Sequence, residues 1–184
     1  MNDSSFNIAI GYNAAYNNKA AENIAIGWKS NYSNLYGTHN VAIGNRALFN
    51  NDNSYNVAVG FQTLFNTRES NNTAVGYRAG FINVSGTDNT AMGYEALRQN
   101  IHGIENTAFG SNSLYENESS FNTAVGFMAM ESSKDGSSNV AVGWKASRLS
   151  TKGEFNIGIG AEALFNSDNS IIFGLIIRLN NDLW

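Results

Sequence analysis

The stretch FNIAIGYNAAY at residues 6–16 decides how this chain folds, because it returns as ENIAIGWKSNY at 22–32, HNVAIGNRALF at 39–49 and YNVAVGFQTLF at 55–65. Aligned on the glycine of N-x-A-x-G, the copies fall at Gly11, Gly27, Gly44, Gly60, Gly76, Gly93, Gly110, Gly126, Gly143 and Gly160, with gaps of 16 or 17 residues throughout. The asparagine four residues earlier is kept in every copy: Asn7, Asn23, Asn40, Asn56, Asn72, Asn89, Asn106, Asn122, Asn139 and Asn156. Self-similarity at a fixed short period marks a stacked array, in which each unit buries its apolar face only against its neighbours.

A period of 16–17 residues is too short for two helices with their turns, but it suits two strands of about five residues and two short turns. Stacking equivalent strands makes parallel sheets with copies ~4.8 Å apart, so eleven coils form a rod of ~50 Å. The expected fold is therefore all-β, a parallel β-solenoid of ten to eleven coils. In it, asparagine bonds backbone and neighbouring amides at the turn, and glycine takes a dihedral that other residues resist.

The first expected strand is N-[IVT]-A-[IVMF]-G and the second follows the glycine, as in Tyr12-Asn13-Ala14-Ala15-Tyr16. Two after the glycine stand Asn13, Lys29, Arg46, Gln62, Arg78, Glu95, Asn112, Met128, Lys145 and Glu162, nine of the ten polar, so period-two alternation turns that row to water. The same alternation sends the opposite rows to the core. Those rows are the aromatics one after glycine (Tyr12, Trp28, Phe61, Tyr77, Tyr94, Phe127, Trp144), those five after it (Tyr16, Tyr32, Phe49, Phe65, Phe81, Tyr115, Phe165), and the small residues between.

The first strand is apolar on both faces, with Ile10, Ile26, Ile43, Val59 and Val75 on one side and Ala9, Ala25, Ala42, Ala58 and Ala74 on the other. A narrow coil has one interior, which the aliphatics are expected to fill. The alanine side then needs a cover, and the expected cover is further copies of the same chain in a closed symmetric assembly.

The segments ENIAIGWKS (22–30), HNVAIGNRA (39–47) and SNVAVGWKA (138–146) resemble the head repeats of YadA-type trimeric autotransporter adhesins. The forms NTAVGYRAG (72–80), NTAMGYEAL (89–97) and NTAVGFMAM (122–130) are similar to arrays in bacteriophage and large-virus tail fibres. The resemblance covers residues 6–174. It implies a left-handed β-roll, a homotrimer, an extracellular location on a virion, tail fibre or cell surface, and attachment to a host surface glycan or protein receptor.

Composition narrows the chemistry. The 184 residues are 42% apolar and 14% charged, with 11 Lys plus Arg against 15 Asp plus Glu and a formal net charge of −4. There is no basic block to recruit nucleic acid or an anionic membrane. Thirty asparagines supply turn-forming polarity. No cysteine is present, which removes disulfides and thiol chemistry. No segment reaches the ~18–20 apolar residues of a membrane span, so no membrane insertion is expected. MNDSSFNIAIG at the start lacks the pattern of a secretion signal, which implies either another export route or a fragment of something longer.

No cofactor or metal is expected, and no enzyme activity. The two histidines, His39 and His102, fall four repeats apart, ~20 Å in a stack, and read as solvent-facing turn residues. Asp52, Glu69, Asp88, Glu105, Glu118, Asp135 and Asp168 fall mainly between repeats and match no calcium-loop pattern. With the aromatic rows assigned to the core, the candidate ligand contacts are the aromatics outside them, Tyr36, Tyr55 and Phe121.

Two alternatives stand beside attachment. One is an ice-binding solenoid, suggested by the column of Thr73, Thr90, Thr107 and Thr123, although its other members are Ile8, Ile24, Val41, Val57, Val140 and Ile157, which favours a packed position. The other is a fibre-borne glycan depolymerase, which release of reducing ends would reveal. The rhythm changes at the end: after Gly160 the next glycine is Gly174 in SIIFGLIIRLNNDLW (170–184), with Ile172 in the alanine place. The division expected is a repetitive β-roll over 1–168 and an atypical last coil and cap over 169–184.

Overall fold

The computed structural model describes residues 6–176. Among them there is no helix. Eleven three-residue strands, from Ile8–Ile10 to Phe173–Leu175, stack in chain order into one parallel sheet, each residue facing its counterpart one coil on, as in Ala25↔Ala42 and Ala74↔Ala91. A second parallel sheet is built from the two-residue strands Asn66–Thr67, Ile82–Asn83, Gln99–Asn100, Glu116–Asn117 and Ser132–Ser133. The molecule is a parallel β-solenoid.

The alanine of each strand points inward and is fully or almost fully buried from Ala25 to Ala141. Opposite it lie the small residues three after each glycine, such as Ala47, Thr63 and Ala79, and the larger ones four after it, Leu48, Leu64, Leu97, Leu114 and Met130. This reverses the expectation that the aliphatics fill the coil. The interior is too narrow for them. Where Gly158 stands in the alanine row, a Cβ would already lie 3.5 Å from Leu164 Cδ1 and 2.9 Å from Ser147 Oγ. One methyl group is what the strand side can contribute, so the Ile, Val, Thr, Met and Phe flanking each alanine face outward.

The second segment is also not a strand. Residues two and four after each anchor glycine hold left-handed dihedrals, as in Arg46 (φ 55°), Leu48 (φ 49°), Glu95 (φ 51°) and Leu97 (φ 49°). Left-handed residues break the two-residue alternation on which the side assignment rested. The third and fourth residues point in, while the first, the fifth and, except for the buried Gln62, the second reach the surface. The aromatic rows predicted for the core therefore stand at least partly in solvent: Tyr12, Trp28, Phe61, Tyr77, Tyr94, Phe127 and Trp144 are all exposed.

The anchor glycines form a spine with φ between 114° and 138°. A Cβ built on Gly27 would sit 2.6 Å from the carbonyl oxygen of Gly44. Both the dihedral and the close approach of successive backbones demand glycine there.

The last coil keeps the period. Gly174 pairs with Gly158, so it occupies the alanine row and not the glycine spine. Ile176 donates to Ile159 O at 2.9 Å, as Gly160 donates to Val142 O at 2.8 Å, and so takes the spine position 16 residues after Gly160. Ile172 correspondingly stands in the asparagine row, not the alanine row. The last coil has replaced its spine glycine with Ile176, so alignment by glycine identity sets Gly174 two residues out of register. Phe173–Leu175 is thus the eleventh rung; residues 177–184 of the expected cap lie outside the described residues.

Candidate functional site

Two inner ladders hold the coils in register. The Oδ1 of each anchor asparagine accepts the backbone N–H of the next anchor position at 2.8–3.1 Å, through ten successive links from Asn7 to Ile172. Its Nδ2 donates to a turn carbonyl in the next coil at 2.7–2.9 Å, for example Asn72 to Gly86 and Asn106 to Ser119. Sequence reading missed the second ladder, seven residues after each glycine: Asn18, Asn34, Asn51, Thr67, Asn83, Asn100 and Asn117, all buried. Its links include Asn34 Nδ2 to Asn18 Oδ1 (2.9 Å), Asn100 to Asn83 (2.7 Å) and Asn117 to Asn100 (3.0 Å). The same alignment on glycine contains this column. These residues hold the fold, their amides turned into the coil.

The outer face of the long sheet is the larger feature. Its rows are Ile10, Ile26, Ile43, Val59, Val75, Met92, Phe109, Val125, Val142, Ile159 and Leu175, beside the row that contains Thr73, Thr90, Thr107 and Thr123. The threonines lie on this outer face and not in a packed interior position. The exposed aromatics one after glycine border it on one side. The residues before the anchor asparagines, Tyr55 (φ 61°) and Phe121 (φ 64°) among them, hold left-handed dihedrals just ahead of the strands and are exposed. From the threonine row to the aromatic row the face is ~13 Å wide, and over ten steps ~48 Å long, on the order of 600 Å² of flat area.

At the next corner, rings and cations interleave. Tyr16, Tyr32, Phe49, Phe65 and Phe81 stack face to face with centroids 5.0–5.3 Å apart. Arg98 extends the column between Phe81 (5.6 Å) and Tyr115 (5.3 Å). Arg46 lies over Trp28 at 4.5 Å, and Lys145 over Trp144 at 4.1 Å. These contacts cover aromatic surface with alkyl stems and cations, which keeps an outward ring row compatible with water.

The three aromatics singled out from sequence do not converge. Tyr36, Tyr55 and Phe121 are exposed, but Tyr55 and Phe121 are four coils apart, ~19 Å, and Tyr36 sits in a different turn row. Tyr55 stacks on His39 at 5.0 Å, and His39 Nε2 contacts Glu22 Oε2 at 2.6 Å. His39 and His102 are both exposed. Among the described residues no group of three or more His, Cys, Asp or Glu is placed to hold a metal ion, and no helix is long and apolar enough to cross a membrane. Asp168 accepts the Thr151 backbone N–H at 2.7 Å, and this bond holds its carboxyl below the ordinary carboxylate range, with the Thr151 hydroxyl and Lys152 acting in the same direction.

A concavity of about 700 Å³ opens on the second sheet, lined by Ser33, Asn50, Asn51, Asp52, Asn66, Arg68 and Val84. Fold and surface together define a β-solenoid repeat protein with a continuous apolar outer face. No protein-family model, curated protein or solved structure matches the chain.

Proposed function

We propose that this chain is a rigid, non-enzymatic segment of an extracellular attachment fibre or surface adhesin, assembled as a homotrimer of left-handed β-rolls with the outer strand faces turned towards a common axis. One observation carries the reading: the apolar face runs uncovered along all eleven strands of the protomer. Its flat area, on the order of 600 Å², is at the top of the range for patches on monomers and approaches the ~800 Å² per partner of a stable interface. The sequence resemblance to adhesin heads and tail-fibre arrays supports the same assembly, its left-handed winding, and a role in binding a host surface glycan or protein receptor.

Light scattering on the purified protein tests it. The expected mass is three times 19.9 kDa, and a stable monomer at micromolar concentration rejects the assembly. A second reading is supported by the outward column of Thr73, Thr90, Thr107 and Thr123, which pair in register on a parallel sheet: a regular threonine ladder orders water, and the chain then binds ice. Thermal hysteresis in a monomeric sample selects that reading over the fibre.

A further inference from the structure

The concavity on the second sheet lies on a different side of the coil from the apolar strand face, so an assembly through that face leaves it open. It crosses four successive coils, ~14 Å, from Ser33 through Asn50 and Asp52, then Asn66 and Arg68, to Val84. Its floor is fixed: Asn51 is buried, its Nδ2 donates to Asn53 O at 2.9 Å, and its Oδ1 accepts from Asn56 Nδ2 at 3.1 Å.

The rim is held in place yet leaves hydrogen-bonding capacity unused. Asn50 Nδ2 donates to Asn66 Oδ1 at 2.7 Å, which orients both amides and leaves Asn50 Oδ1 and Asn66 Nδ2 without a partner among the described residues. Asp52 Oδ1 accepts the Leu35 N–H at 2.7 Å, which fixes the carboxylate with its second oxygen open. Arg46, Arg78, Arg98 and Arg148 each engage a ring or a carboxylate. Arg68 is the one arginine among the described residues that does neither, and it stands at this rim. The open acceptors, Asn50 Oδ1 and Asp52, lie on one coil and the open donors, Asn66 Nδ2 and Arg68, on the next, while Val84 is the single aliphatic residue lining the groove, a poor match for a lipid or an apolar peptide. Paired amides beside a carboxylate suit hydroxyl groups, and a planar guanidinium suits a carboxylate in two-point contact.

We propose that this groove binds a short saccharide bearing a carboxylate, with the carboxylate on Arg68 and its hydroxyls on the Asn50–Asn66 pair and Asp52. This rests on the attachment reading and names the chemistry of the receptor. Calorimetric titration of the full chain with sialyllactose and trigalacturonate, against neutral lactose and maltotriose, tests it. The acidic probes bind at least ~10-fold more tightly than the neutral ones, and Arg68→Gln removes that preference while leaving the circular dichroism spectrum unchanged. Asn50→Ala weakens every probe that binds.

Absence of heat from both acidic probes at millimolar concentration overturns the groove, as does an Arg68→Gln variant that binds them like the parent. The same samples are weighed by light scattering, which separates the two ideas. A trimer that binds no acidic probe rejects the groove alone. A monomer that binds them through Arg68 upholds the groove and rejects the fibre assembly.

Discussion

Asn31 stands four residues after its anchor glycine, where other coils carry Leu48, Leu64, Leu97, Leu114 or Met130. It is fully buried, and neither its Nδ2 nor its Oδ1 has a partner. A buried amide without hydrogen bonds costs ~1–3 kcal/mol. Against this, asparagine adopts a left-handed dihedral more readily than leucine, and Asn31 has φ 46°. Leu64 holds the same φ, 46°, in a buried position, so the conformation is accessible to leucine here. The burial effect outweighs the dihedral one. Asn31→Leu is expected to stabilise the fold by ~1 kcal/mol, visible as a higher midpoint in urea; an equal or lower midpoint shows that the amide has a partner in solution, such as a buried water.

The anchor ladder acts one scale higher, because each of its asparagines joins two coils. Asn106 accepts the Asn122 N–H at 2.9 Å and donates to the Ser119 carbonyl at 2.9 Å. Asn106→Ala leaves both backbone groups unpaired inside a narrow stack, a loss of ~2–4 kcal/mol. In a solenoid each coil contacts only its neighbours, so the damage is local. Amide hydrogen exchange is expected to accelerate in the coils around Asn106 and Asn122 while coils near Gly27 and Gly160 keep their protection. A uniform rise along the whole chain contradicts this nearest-neighbour account.

At the scale of the whole molecule, the outer face and the interior are separable. Val59 and Val75 pair across adjacent strands and point outward, away from the buried Ala58 and Ala74. Val59→Asp combined with Val75→Asp places two like charges within one strand spacing, on a face that assembly would dehydrate. The double variant is expected to retain the β circular dichroism of the parent and, with the parent the proposed trimer, to fall to one third of its mass in light scattering. Loss of the β signal instead means that the face belongs to the protomer's own core.

Repeat, period, parallel stacking and the two fixed residues of each coil were all legible in the chain, because stacking forces equivalent positions to solve the same local problem sixteen or seventeen residues apart. The asparagine needs an amide that both donates and accepts, and the spine glycine needs a dihedral and a clearance that no other residue has. Which side of each segment faces inward was legible only in part: alternation put the small residues three after each glycine inside, as found, but put the aromatic rows and the strand aliphatics there too. Alternation predicts it only for extended backbone, and the left-handed dihedrals at Arg46 and Leu48, or Glu95 and Leu97, occur in residues with no marked preference for them. For the same reason the exposed aromatic rows and the groove around Arg68 could not be foreseen, since both arise from the path of that turn. Only the closed coil, with room for one methyl group beside its leucines, decided that alanine goes inside and that isoleucine, valine and threonine form the outer face.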